Sequence, residues 1–257
     1  MLRRMLAFDL DDTLAVTKSP ITESMAELLG RLLDVCAVCV ISGGAFEQFK
    51  TQVVDRLRPD PARLSRLHLM PTSGTRYYRF DTSTAGWIEQ YAQDLSDEEK
   101  RQIIKVLTTG AKELGYWEDM PAGDIIEDRG SQITYSALGQ RAMPETKYAW
   151  DPDGQKKQRL RTYAAERLPN LSVRAGGSTS VDVTRKGIDK AYGIGQLMRI
   201  LHLETADVVF FGDQLEPGGN DFPVRSLGID TISVRDWQDT AVALRAILSI
   251  SFVGALA

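Results

Sequence analysis

The apolar positions of this chain fall into two rhythms. Met5-Leu-Ala-Phe8 is a short unbroken apolar run, as a strand buried on both faces requires. Met25, Leu28, Leu29, Leu32 and Leu33 then repeat at the three-and-four spacing of an amphipathic helix, which Thr22 can cap. Val35-Cys-Ala-Val-Cys-Val-Ile41 is a second strand-like run. A helix over about 45–57 and a strand near Leu67–Pro71 follow. Strand, helix, strand, helix, strand predicts a parallel sheet with crossover helices.

The rhythm changes near residue 82. Ser96-Asp-Glu-Glu99 is a capping-box pattern opening a helix through about Leu114. Asp124–Arg129, Gln132–Ser136 and 171–184 alternate apolar with polar residues, which predicts antiparallel strands with one wet face. A Lys- and Arg-rich helix, about Asp153–Leu168, lies among them. From Gly187 the parallel pattern resumes, with a helix over Ile188–Leu203 and a buried strand Val208-Val-Phe-Phe211. A strand over Asp230–Val234 and a terminal helix over Trp237–Leu248 complete it. The expected fold class is α/β, a Rossmann-like doubly wound parallel sheet built from residues 1–82 and 187–257. An α+β unit, residues 83–186, is inserted in it, and a small ligand is expected in the cleft between the two.

Composition narrows the function. The 257 residues are 43% apolar and 26% charged, with a net charge of −4, so no nucleic-acid footprint is present. No apolar run approaches the ~20 residues of a membrane span. The basic start Met-Leu-Arg-Arg-Met is followed by Asp9, Asp11 and Asp12, which breaks a signal-peptide pattern; a cytoplasmic enzyme is expected. Cys36 and Cys39 sit inside an apolar strand, not at a helix start, and no second ligand pair accompanies them. They read as buried, inert thiols rather than a redox pair or zinc ligands.

The candidate chemistry lies at the strand ends, where an open parallel sheet binds its ligands. The first strand ends in Asp9-Leu-Asp11-Asp12-Thr13. Paired carboxylates suit a hard divalent cation and covalent phosphoryl transfer, in which one attacks and the other handles the proton. The second strand ends in Ser42-Gly43-Gly44, a hydroxyl with exposed amides at a helix start. A later strand ends in Gly212-Asp213-Gln-Leu-Glu-Pro-Gly-Gly-Asn220-Asp221, and Lys190 opens the preceding helix. Each segment alone is more often a turn, a cap or a solvated charge. Their joint occurrence, in this order, makes the functional reading the stronger one.

These segments resemble the four motifs of the haloacid dehalogenase (HAD) superfamily, subfamily IIB, and within it most closely the eukaryotic-type phosphomannomutases. The resemblance implies a C2-type cap domain for the inserted unit, a Mg2+ cofactor and an aspartyl-phosphate intermediate. It implies Asp9 as nucleophile, Asp11 as general acid/base, and Ser42 and Lys190 as phosphoryl ligands, with Gly43 and Gly44 beside them. Asp9, Asp11, Asp213, Asn220 and Asp221 would surround the metal. In the cap, Ile126-Glu-Asp-Arg129, Ser136-Ala-Leu-Gly139 and Gly176-Gly-Ser-Thr-Ser180-Val-Asp182 resemble the mutases' sugar-phosphate site. Arg129, Arg141, Lys147, Ser180 and Asp182 are its expected substrate contacts here.

Two cap arginines of the mutases become Gln140 and Lys147 in this chain, with Arg141 one residue from the first. Lysine does not reproduce the bidentate fork of arginine. That departure favours water as acceptor: a Mg2+-dependent phosphatase of a small phosphorylated metabolite, with a sugar phosphate favoured. The alternative is a phosphomannomutase interconverting mannose 1-phosphate and mannose 6-phosphate. A receiver-type phospho-acceptor module is a third reading, disfavoured by the chain's length and its insert. The mutases pair through their caps, so a cap-mediated homodimer is the expected assembly.

Overall fold

In a computed structural model, which describes residues 3–57, 60–176 and 178–253, successive residues of the central strands enter two different apolar clusters. From β1 (Met5–Phe8), Leu6 and Phe8 face one cluster and Met5 and Ala7 the other. The first cluster is closed by α1 (Glu23–Val35), whose predicted stripe is buried and whose N-cap is Thr22. The pattern repeats in β2 (Ala37–Ile41), with Val38 and Val40 on one side and Cys39 and Ile41 on the other. Period-two alternation therefore serves a sheet covered on both faces, where neither set of side chains is polar.

The chain continues through α2 (Phe46–Phe49), a π-helical turn over Lys50–Val54, α3 (Pro61–Leu64), β3 (Leu67–Met70), β4 (Arg76–Asp81) and β5 (Gly86–Ala92). The second unit holds α4 (Asp97–Glu113), β6 (Ile126–Asp128), β7 (Ile133–Ser136), α5 (Pro144–Trp150), α6 (Gln155–Arg167), β8 (Leu171–Ala175) and β9 (Ser180–Arg185). The chain then returns with α7 (Lys190–Leu201), β10 (Val208–Gly212), β11 (Asp230–Ser233) and α8 (Trp237–Val253). The α/β expectation holds. The large sheet has the order β11-β10-β1-β2-β3-β4-β5. Its first five strands are parallel, and the hairpin β4–β5 adds on antiparallel. α1 and α8 contribute to one face cluster and α7 to the other.

The strand order reverses between β1 and β10. The chain steps outward from β1 to β2 and β3 on one side, and from β10 to β11 on the other. At such a switch point the loops leave in opposite directions and open a crevice at the carboxyl ends of the strands. Asp9 follows β1 and Asp213 follows β10, so topology alone puts two acids there.

The expected boundaries need correction. The compact units divide at Ala92/Gln93 and Ile188/Asp189, not at 82/83 and 186/187. Residues 83–92 belong with the large sheet because β5 pairs with β4 along its length and Tyr91 Oη donates to the Gly74 carbonyl at 2.7 Å. The second unit is a four-stranded antiparallel sheet, β6-β7-β9-β8, with α4 and α6 packed against it. The capping box of α4 is present, with Ser96 and Glu99 bonded reciprocally. The wet face expected for its strands is polar, yet Thr134 and Ser136 are buried. Their hydroxyls donate to Asp182 Oδ1 at 2.7 Å and to the Gly139 carbonyl at 3.3 Å. Met1, Leu2 and Gly177, which entered the sequence reading, lie outside the described residues. No helix among the described residues is long and apolar enough to cross a membrane. Cys36 and Cys39 are free and buried, and burial pushes the Cys36 thiol up to about 11.

His68 lies buried on β3, its Nδ1 2.8 Å from Tyr77 Oη. Burial, helped by the nearby Arg79 charge, lowers its pKa from 6.5 to about 4. The folded state therefore takes up the imidazole proton less readily than the unfolded state. The stability this provides is present above pH 6.5 and is lost as pH falls toward 4. Urea unfolding of the wild type should lose about 2 kcal/mol more between pH 7 and pH 4.5 than unfolding of His68→Gln. Equal losses would contradict a neutral His68 in the fold.

Candidate active site

β1 and β10 pair in parallel, with Phe8 opposite Phe211, and the Asp9 amide donates to the Phe211 carbonyl at 2.9 Å. This register sets Asp9 beside the loop that begins at Asp213. The loop turns back so that Asp221 is fully buried, its Oδ2 accepting from the Gln214 amide at 3.1 Å. One ligand oxygen from each of Asp9, Asp213 and Asp221 lies within 4.8 Å of the others. Thr13 Oγ1 reaches Asp213 Oδ1 at 3.5 Å.

Lys190, the first residue of α7, is 2% exposed. Its Nζ donates to Asp9 Oδ1 at 2.5 Å and to Asp221 Oδ1 at 2.6 Å. A surface charge, the commonest reading of a lone lysine, is excluded here. α7 comes this close because Gly193, one turn on, has no side chain. A Cβ there would lie 2.6 Å from Ile41 Cδ1 and 2.9 Å from Gly74 Cα.

Burial, opposed by Lys190, pushes the Asp9 carboxyl well above its ordinary range, and the Asp221 and Asp213 charges push the same way. Asp213 is raised by burial and by Asp221. Burial works against the Lys190 ammonium, but Asp221 and Asp9 outweigh it and hold its pKa above the usual value. Lys190 is therefore held as the ammonium. Three carboxylates facing one ammonium leave two negative charges in excess when all are ionised. A hard divalent cation offers the matching charge and favours oxygen donors, so Asp9, Asp213 and Asp221 fit Mg2+.

The other predicted residues divide. Ser42 is buried, and its Oγ accepts from the Gly44 amide at 3.3 Å. The carbonyls of Ser42 and Gly44 accept from Ser73 and Thr72 at 2.9 Å each, which ties this loop to the turn after β3. Asp11 stands outside the acidic trio. Its Oδ1 accepts from the Lys18 amide at 2.7 Å and from Gln52 Nε2 at 3.3 Å, and its Oδ2 from Gln48 Nε2 at 3.3 Å. Asn220 is exposed. Asp12 serves the turn: at φ 62° it bonds the Thr17 amide and hydroxyl at 3.1 and 2.6 Å.

In the second unit, Arg129 pairs with Glu127 at 2.7 Å, and Asp182 accepts from Thr134. Ser180 is buried on the same sheet. Arg141 is exposed, while Lys147 is buried with its Nζ donating to the Gln140 carbonyl at 3.0 Å. The lysine thus braces its own loop. Gln48 and Gln52 were not legible as site residues, because amide side chains carry no motif of their own.

This is the fold of the HAD-like proteins. A haloacid dehalogenase-like hydrolase from Bacteroides thetaiotaomicron superposes with a TM-score of 0.64 at 16% identity, over 95% of this chain and 99% of that one. The chain belongs to the eukaryotic phosphomannomutase family, whose profile matches residues 25–250. A probable phosphomannomutase of Caenorhabditis elegans is 25% identical over 86% of each chain. The phosphomannomutase of Saccharomyces cerevisiae is 23% identical over 96% of this chain and 94% of its own.

A cation that neutralises the trio binds the folded state alone. At a hundredfold excess over its dissociation constant, Mg2+ should stabilise by about 2.7 kcal/mol and raise the melting midpoint by roughly 5–10 °C. Asp213→Asn should abolish most of that rise in thermal scans. An unchanged rise in the variant would count against the trio as the cation site.

Proposed function

We propose that this chain is a phosphotransferase of sugar phosphates that works through Asp9, and that its principal activity is interconversion of mannose 1-phosphate and mannose 6-phosphate. The buried Asp9–Lys190–Asp221 array at the switch point carries the proposal. Asp9 attacks phosphorus, and the bond from phosphorus to the departing sugar oxygen breaks while Asp11 supplies that oxygen's proton. In the second half, a hydroxyl gives its proton to Asp11 and attacks the aspartyl phosphate, releasing Asp9. Ser42 Oγ and the amides of Gly43 and Gly44 bind phosphoryl oxygens, and Lys190 offsets the repulsion between two anions. Bound Mg2+ supplies the remaining positive charge. In this scheme Asp9, Asp213 and Asp221 would hold the metal, with the Asp11 backbone carbonyl and Asn220 in supporting places.

Family membership at about a quarter identity along most of the chain supports a sugar as acceptor in the second half, over the water acceptor expected from Gln140 and Lys147. The inserted unit acts as the cap, with Arg129, Arg141, Ser180 and Asp182 as its substrate contacts, and a cap-paired homodimer accompanies the reading. One observation favours the phosphatase alternative: Lys147 directs its ammonium at the Gln140 carbonyl, which weakens the cap's anion site. Phosphorylated sugars and two free buried thiols suit the cytoplasm. The receiver-type reading has no support from the relatives.

With mannose 1-phosphate, Mg2+ and a catalytic amount of hexose bisphosphate, product analysis should give mannose 6-phosphate in excess over orthophosphate. Asp9→Asn should slow both products by at least about 10³-fold. Orthophosphate without isomer would replace the mutase reading with the phosphatase.

A further inference from the structure

The carboxylate of Asp11 is held by two glutamines that no motif marks. Gln48, in α2, and Gln52, in the π-helical turn that follows, are four residues apart and face the same side of their helix. Gln52 is 3% exposed. Its Nε2 donates both to Asp11 Oδ1 at 3.3 Å and to the Ser19 carbonyl at 2.7 Å. Its Oε1 is buried with no hydrogen-bond partner among the described residues. A buried acceptor left bare costs stability. Turning the amide over would be worse, because Oε1 would then face two other acceptors, the Asp11 carboxylate and the Ser19 carbonyl. The amide is fixed with its donors toward Asp11. Gln48 reaches Oδ2 of the same carboxylate, and Gly44 makes room for it: a Cβ on Gly44 would lie 2.3 Å from Gln48 Oε1. A bare Cα in the phosphate-facing loop, a widened helical turn and two amides thus converge on one carboxylate.

We propose that Gln48 and Gln52 are positioning residues that orient the Asp11 carboxylate for proton transfer, Gln52 and the Lys18 amide anchoring Oδ1 and Gln48 guiding Oδ2. The proposal rests on the assignment of Asp11 as proton carrier. Oδ2 has Gln48 as its sole hydrogen-bond donor among the described residues, and that donor is half-buried. Oδ2 is therefore the oxygen that delivers the proton. As it does, the O–H bond of Asp11 breaks, the new O–H bond forms on the departing sugar oxygen, and the electron pair of the broken P–O bond becomes that oxygen's lone pair.

Leaving groups of different basicity separate this role from a structural one. An alkoxide leaving group needs the proton, whereas 4-nitrophenolate leaves without it. Gln48→Met and Gln52→Leu should lower kcat for mannose 1-phosphate about 10- to 100-fold with KM changed less than about threefold. The same variants should leave the burst of 4-nitrophenolate from 4-nitrophenyl phosphate within about threefold of wild type. In an Asp11→Asn background, Gln48→Met should slow the enzyme no further. Equal losses on both substrates, or a full additional loss in the Asp11→Asn background, would overturn the proposal. Gln48 is half-buried, so its variant serves even if Gln52→Leu does not fold. A fully active Asp11→Asn enzyme would instead overturn the proton-carrier reading, a result separate from any behaviour of the glutamines.

Discussion

The structure turns on one ammonium group. Lys190 Nζ sits between Asp9 and Asp221, all three side chains almost wholly removed from water. Such an array is weak as a source of net stability, because desolvating the ions offsets most of their attraction. Removing one partner is another matter, costing about 3–5 kcal/mol as a charge is left uncompensated. The fold is therefore constrained to bring together residues far apart in sequence. β1 must lie beside β10, α7 must press against the turn after β3, and the loop from Asp213 must fold back to bury Asp221. Gly193 meets the second requirement and the tight loop through Gly218 and Gly219 the third.

The local order of this architecture was legible because single residues dictate it. Unbroken apolar runs identified β1, β2 and β10, and the leucine stripe with its Thr22 cap identified α1. The hairpin 76–92 belongs whole to the large sheet, although its residues 83–92 were expected in the inserted unit. Its membership depends on pairing with β3 and on Tyr91 reaching Gly74, and neither is visible in its own alternation. The acids were legible as candidates by their placement at strand ends. What each does was not. Asp9, Asp11 and Asp12 are near neighbours, yet one enters a buried ion pair, one is held by two glutamines and the Lys18 amide, and one closes a turn on Thr17. Burial and partners separate them, and the ion-pair partner of Asp9, Lys190, lies 181 positions away. Lys147 makes the same point: a charge that reads as an anion ligand is directed at the carbonyl of Gln140.

Family membership and site geometry bear on different questions. The geometry supplies a buried carboxylate, a fixed counter-cation and a cation-sized acidic trio, which fit the phosphoryl-transfer centre proposed for them. It leaves the acceptor to be chosen by groups that contact the rest of the substrate. Under the proposed reading those groups are the second unit's Arg129 and Asp182, which are bound here to Glu127 and Thr134. The relatives named phosphomannomutases are what supports a sugar hydroxyl as acceptor in the proposed reading.

The central claim is that Asp9 carries the phosphoryl group. Rapid quenching during turnover with a hexose bisphosphate, followed by peptide mass spectrometry, tests it most directly. The account predicts a phosphate on Asp9, labile to hydroxylamine and lost in Asp9→Asn. Turnover with no modification at Asp9, or a phosphate on another residue, would contradict it.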